Sequence, residues 1–195
     1  MKKGDIIKFG NYPQDSYGRK SPIEWIVLDV NENEALLISR HGLDCKQYHH
    51  ERTKITWEYC DLRKWLNNDF IRSAFSMAET KRIIVSELKN DENREDGING
   101  GNDTMDRVFC LSIDEAVQYF RRNSDRQCKK TKYAQTQSSD LSFSYNDFCG
   151  WWLRSPGGNQ SFAARVIGYG SVEHLIGYLV NDDTVAVRPA LRINL

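Results

Sequence analysis

The sequence predicts an α+β fold in which strands at the two ends of the chain pair and helices lie between them. Three observations carry that expectation. Residues 1–40 hold β-rich apolar runs separated by turn residues. Residues 56–120 hold apolar positions at helical spacing and two Ser-x-x-Glu helix starts. Residues 151–195 return to short apolar runs punctuated by Gly, Asn and Ser. A chain of 195 residues can bury a core of its own, so one domain over 1–195 is expected.

Strands are expected at Asp5–Gly10, Ile23–Asp29 and Ala35–Ser39. The loop Tyr12–Gly18 and the turn Asn31–Glu34 separate them. Helical spacing then covers Thr56–Leu66, with Leu62, Trp65 and Leu66 on one face and Asn67-Asn68-Asp69 ending the helix. Ser76 and Glu79 form one capping-box pattern, and Ser112 and Glu115 a second. The second starts a helix through Phe120 with Ile113, Ala116, Val117 and Phe120 inward. Arg82–Ser86 reads as a strand or buried connector. Residues 89–107 read as a long loop, and 121–148 as polar chain with a flexible tip at Ser138-Ser139-Asp140.

Apolar residues make up 39% and charged residues 28%, the balance of a globular chain rather than a disordered or membrane one. No run approaches the ~20 apolar residues that span a bilayer, so no membrane partner is expected. No apolar segment follows Met1-Lys2-Lys3-Gly4-Asp5, as a secretion signal requires. A cytoplasmic location is the expectation, with Cys45, Cys60, Cys110, Cys128 and Cys149 reduced. The formal net charge is zero, which argues against nucleic acid, whose binding leans on basic excess. The charge is unevenly spread. Residues 91–106 carry six acids against Arg94, and residues 121–132 carry six bases against Asp125. Two solvated loops of opposite sign are the simplest reading.

No Cys-x-x-Cys pair occurs, which excludes a zinc ribbon or thioredoxin-type site. His49 and His50 with Cys45 match no common zinc spacing, so a surface turn is expected there and no metal site. The segment Asp96–Asp103 offers oxygen ligands with Gly between them. It lacks the closing Glu of an EF-hand, so an Asx-tied loop is expected and calcium is the one cofactor left open. Trp151 and Trp152 are adjacent, so in a strand they point to opposite faces, one into the core and the other flooring a pocket or packing beneath the binding face. Arg154 and Arg188 read as structural, each holding a buried acceptor through its planar fork.

Two motifs frame the C-terminal region: Trp151-Trp152-Leu153-Arg154-Ser155-Pro156-Gly157 and Val187-Arg188-Pro189-Ala190-Leu191. The stretch between them is rich in Gly, Asn, Tyr and Ser. These residue types suit a binding face, where Tyr gives contact area and Ser, Gly and Asn give adaptable hydrogen bonds. With Ile23-Glu24-Trp25, Leu43-Asp44-Cys45, Leu62–Phe70, Gly100–Thr104 and Leu111–Ala116, the frames resemble a widespread bacterial family of uncharacterised domains. The terminal part also resembles the C-type lectin-like fold in its formylglycine-generating-enzyme branch, which includes variable proteins of diversity-generating retroelements. That resemblance implies a single C-type lectin-like domain with a ligand-binding set at Asn159, Gln160, Phe162, Arg165, Tyr169, Glu173, His174, Tyr178, Asn181 and Asp182.

The formylglycine-generating enzymes use a late pair of cysteines, whereas here Cys149 has no second thiol after it. The calcium-dependent lectin signatures are absent, with Asn181-Asp182-Asp183 a faint echo. The expected function is therefore non-catalytic recognition of a protein or glycan ligand, with no catalytic residues. Two alternatives stand: a degenerate oxidoreductase of that branch using Cys149 with a metal, and an accessory domain acting by self-association. The sequence does not fix the oligomeric state.

Overall fold

The computed structural model of the chain describes residues 1–93, 95, 97–139 and 148–195. Strands β1 (Ile6–Pro13), β2 (Lys20–Val30) and β3 (Glu34–Ser39) form a meander. In β2, Ile23, Trp25 and Val27 alternate into the core, as the pleat demands. β3 is central and buried on both faces from Ala35 to Ser39. The turn joining β2 to β3 is tied by Asn31, whose Oδ1 accepts the Asn33 and Glu34 N–H groups at 3.0 Å each.

The chain ends do pair. β12 (Ala190–Asn194) lies antiparallel to β3, from Ala190↔Ile38 to Asn194↔Glu34. Its other edge takes the short strand β7 (Val108–Phe109), giving the order β1-β2-β3-β12-β7. A second five-stranded sheet holds β4 (Asp44–Cys45), β8 (Trp151–Pro156), β9 (Phe162–Val166), β10 (Val172–Leu179) and β11 (Ala186–Val187). Its order is β10-β9-β8-β11-β4. β11 runs parallel to β8 at Ala186↔Trp151, so the two framing motifs are neighbours in space. β5 (Ser86–Leu88) and β6 (Thr104–Asp106) make a two-stranded ribbon, and β6 shortens the loop expected at 89–107 at its C-terminal end.

Both capping boxes form. Ser76 Oγ accepts the Glu79 N–H and the Glu79 carboxylate accepts the Ser76 N–H, opening α3 (Met77–Arg82). Ser112 and Glu115 do the same for α4 (Ile113–Tyr119). Ala116 and the C-cap Phe120 are buried and Ile113 packs partly buried against the core, as expected, while Val117 faces solvent. With only two turns, the helix buries a narrower stripe than the apolar pattern suggested.

The helix expected to end at Asn67 continues instead. α1 (Asp61–Trp65) passes through a π-turn at Leu66–Phe70 into α2 (Ile71–Ala74). Asn67 holds that turn open. Its Nδ2 donates to Arg63 O and Val108 O, and its Oδ1 accepts from Arg107 and Val108. The connector after α3 docks on β12, where the Ile84 N–H donates to Arg192 O. Short helices α5 (Asn123–Arg126) and α6 (Lys132–Thr136) complete the fold. The segment expected as a flexible tip has Ser138 buried and Ser139 Oγ donating to Asp183; Asp140 lies outside the described residues. No helix among the described residues is long and apolar enough to cross a membrane.

Trp151 and Trp152 are both fully buried, one on each face of β8. Their indole N–H groups donate to Arg126 O and Lys46 O respectively. Neither floors an open surface; Trp152 instead packs beneath Tyr178, with ring centroids 6.5 Å apart. Arg154 and Arg188 are buried beside them. Arg154 pairs with the Glu115 carboxylate and donates to Cys110 O, so the residue that caps α4 also neutralises a buried charge. Arg188 Nε donates to Ser39 O at 3.0 Å, and its guanidinium lies over Trp151 and Phe120.

Candidate ligand-binding site

The expected binding segment folds as β9, a turn at 167–171 and β10. The turn is set by Gly170, at φ +90°, whose N–H donates to Ile167 O at 2.7 Å. A Cβ there would lie 1.8 Å from Asn123 O, so only glycine lets the turn seat on α5. Arg126 Nε clasps the same residue at Gly170 O, 2.8 Å away. Tyr169 is carried outward on this turn.

β10 is an edge strand and bulges. Between Glu173↔Arg165 and Tyr178↔Ala163, residues 174–177 stand opposite Ala164 alone. The bulge pushes Leu175 and Ile176 into solvent, at 60% and 67% exposure. It also returns Tyr178 to the side of the sheet where Arg165 lies. The Arg165 guanidinium sits 3.4 Å from the Tyr178 ring centroid, and its Nε donates to Glu173 Oε2 at 2.6 Å.

These side chains border a cavity of about 380 Å³. Its lining includes Arg165, Tyr169 and Tyr178 with Lys130, Phe148, Cys149 and Gly150. Lys130 Nζ is fixed by donating to Thr184 O at 2.8 Å. Two cations against the one carboxylate of Glu173 leave the pocket suited to a polar or anionic group, with aromatic faces beside it.

Cys149 is not isolated. The Cys149 N–H donates to Cys128 O at 2.8 Å, and its Sγ reaches the same oxygen at 3.2 Å. The hydrogen bond with Cys128 and burial push the Cys149 thiol well above its usual range. For Cys128 burial acts upward, but the Cys149 hydrogen bond and the Arg188 charge outweigh it and bring it to about 7. Cys149 thus meets an earlier thiol, Cys128, although none follows it in the chain. All five cysteines are free and buried.

Of the ten residues expected in the site, three line the pocket: Arg165, Tyr169 and Tyr178. Glu173 acts through Arg165. The rest lie elsewhere and are partly engaged in local structure. Asn159 Oδ1 accepts from Ser161, and Asp182 Oδ1 from the Thr184 N–H and Oγ1. Gln160 reaches Asn99 O, Phe162 lies under Arg52, and Asn181 O accepts from Gln47. His174 borders a smaller cavity with Ser112 and Ser155. Lys130 and Phe148 went unseen in sequence because the polar run between them shows no apolar periodicity. The one pointer to Lys130 was its place in the basic run.

The charged loops and the two histidines find partners within the fold. Asp103 pairs with Lys89 and accepts from the Asn90 N–H, and Arg122 pairs with Asp125. Asp106, counted with the acidic loop, is buried against Arg63, Trp57 Nε1 and Thr104. Asn99 Oδ1 accepts from Gly101, an Asx tie in the segment considered for calcium, where Asp96 lies outside the described residues. His49 and His50 meet Asp61 rather than Cys45.

The family model of DUF6273, a domain of unknown function, matches residues 32–195. The chain belongs to this family. The DUF6273 span contains every residue lining the pocket and starts within the turn before β3. β1 and β2 precede it, yet β2 pairs with β3 from Trp25↔Ser39 to Val30↔Ala35, so the folded unit reaches beyond the matched span. No curated protein and no solved structure matches the chain.

Proposed function

We propose that this DUF6273 chain is a non-catalytic recognition domain with a C-type lectin-like core. It binds a protein or glycan ligand in the pocket of Arg165, Tyr169, Tyr178, Lys130 and Phe148. The observation that carries this reading is the convergence of aromatic faces and fixed cations on one open cavity of about 380 Å³. Each wall is held from behind: Arg165 by Glu173, Lys130 by Thr184 O, and the Tyr169 turn by Arg126. Preorganised anchors of this kind lower the entropic cost of binding. The pairing of terminal strands and the side-by-side framing motifs support the lectin-like comparison. Cys149, held as a buried thiol, favours recognition over chemistry.

The test is a glycan array and a displayed-peptide library probed with the wild-type chain and with Tyr169→Ala. Tyr169 is exposed, so its truncation leaves the fold intact. Selected ligands should bind the variant at least about tenfold more weakly, the loss of one aromatic anchor. Ligands that bind both proteins equally would place recognition elsewhere.

A second reading rests on Leu175 and Ile176, adjacent exposed apolar residues on edge strand β10. Such an edge suits association with another chain. Light scattering of the wild type against Ile176→Lys separates the two readings. Self-association lost in the variant, with pocket binding absent from the wild type, would favour the accessory role.

A further inference from the structure

We propose that His49, His50 and Asp61 form a binding site for one divalent transition-metal ion of the zinc type. The three ligand atoms lie within 4.8 Å of one another. Both histidines present Nδ1 to a single carboxylate oxygen, Asp61 Oδ2, at 2.7 Å from His49 and 2.5 Å from His50. Two imidazole nitrogens and one carboxylate oxygen are a donor set that zinc-like ions take.

The decisive atom is His49 Nδ1. The residue is 8% exposed, and Nδ1 itself is buried without a hydrogen-bond partner. Asp61 Oδ2 is close enough, but it stands off the line that a hydrogen bond needs. Buried ring nitrogens are rarely left so, because an unmet polar atom loses its hydration without replacement. His49 Nδ1 thus faces, without a bond of its own, the oxygen on which the His50 N–H and Nδ1 converge, and one ion bound among them would take up its lone pair.

The backbone builds this geometry from three places. The His49 N–H donates to Val180 O at 2.8 Å, and the Leu62 N–H to Tyr48 O at 3.1 Å. These bonds lash the His49-His50 bend to the start of α1. The His50 N–H donates to Asp61 Oδ2 at 3.1 Å, and Lys64 Nζ lies 3.4 Å from the other oxygen, so the carboxylate is oriented from both sides. Glu51 Oε1 lies 3.7 Å from His50 Nε2, a carboxylate facing the non-ligating nitrogen.

Bonds of about 2.0–2.1 Å require ligand atoms to stand somewhat farther apart than here. His50 and Asp61, 64% and 37% exposed along their side chains, are the ligands able to draw back from each other and from the buried His49. The ion would face an open pocket of about 400 Å³ lined by His50, Asp61, Lys46, Trp65 and Asp183. A fourth coordination position there is left for water or a ligand. This pocket shares no lining residue with that of Arg165 and Tyr178.

The experiment titrates the full chain with Zn²⁺ against a chromophoric chelator, and with Co²⁺ read by its visible absorption. Wild type should bind one equivalent, show a tetrahedral cobalt spectrum without a thiolate charge-transfer band, and melt higher with Zn²⁺. His50→Ala, at an exposed position, should stay folded by circular dichroism. It should weaken binding by more than about tenfold, since even an outer partner of a ligand is worth that much. Asp61→Asn should do the same. No stoichiometric binding, binding unchanged in His50→Ala, or a thiolate band pointing to the cysteines would each overturn the proposal.

Discussion

Arg188 and Arg165 both lay a guanidinium on aromatic rings, and the difference between their surroundings separates frame from site. Arg188 is 1% exposed, lies over Trp151 and Phe120, and donates to the backbone oxygens of Ser39 and Arg126. Its donors serve a strand, β3, and a helix, α5, that the sequence places far apart. Arg165 stacks on Tyr178, takes one carboxylate from Glu173, and opens onto a cavity. One arginine is committed to the fold, and the other keeps donors facing solvent, where a ligand can meet them.

The largest test of that contrast is Arg188→Ala beside Arg165→Ala. The first strands two carbonyls and leaves a hole between Trp151 and Phe120, so it should cost about 3 kcal/mol or more. The second removes a partly exposed pair and should cost about 1 kcal/mol, while weakening ligand binding. Urea unfolding midpoints measure both. Equal losses would mean that Arg165 belongs to the frame and that the pocket is a by-product of packing.

The two regions meet at Arg126. Its carbonyl accepts from Trp151 Nε1 and Arg188 Nη1, while its own Nε donates to Gly170 O beneath the Tyr169 turn. Gly170→Ala attacks that joint. A Cβ cannot sit 1.8 Å from Asn123 O, and φ +90° suits no L side chain, so the loss should exceed about 1 kcal/mol. Exchange of the Gly170-to-Ile167 turn amide should quicken with it. An unchanged melting temperature with slow exchange would show that the turn is not anchored to α5, and the site would lose its rigid support.

What the sequence made legible follows the same division. The capping boxes at Ser76 and Ser112 and the Asn31 turn are local: three residues hold both partners, so spacing alone reveals them. The frame motifs at Trp151 and Val187 were legible as motifs. The π-turn was not, because Asn67 is held by Arg107 and Val108 from a distant segment. Asp61 could not be joined to His49 and His50 without the Tyr48–Leu62 bond that folds the bend onto α1. Cys128 meets Cys149 across a single bridge, Lys129↔Phe148, which no periodicity announces. Of the pocket, Arg165, Tyr169 and Tyr178 were legible by position. Asn159 and Asp182 were not separable from them, since an Asx tie and a ligand contact use the same residue types.

The smallest effect concerns another buried charge in the frame. Asp44 is 1% exposed, accepts from Tyr12 Oη at 2.6 Å and the Cys45 N–H at 2.8 Å, and has Lys46 Nζ at 3.7 Å. Burial raises its pKa against the opposing pull of Lys46 and the two hydrogen bonds. A raised carboxyl holds its proton longer in the folded chain than in the unfolded one. Its ionisation therefore subtracts stability once pH has risen through the folded pKa, and that loss disappears as pH falls below the ordinary Asp value. Asp44→Asn keeps an acceptor for Cys45 and removes the charge. Its stability relative to wild type should be greatest at neutral pH and shrink on acidification toward pH about 4. Urea titrations of both proteins from neutral pH downward measure the gap. A gap that widens on acidification would mean that Asp44 is held ionised by Lys46, and that the frame, like the pocket, draws net stabilisation from an ion pair.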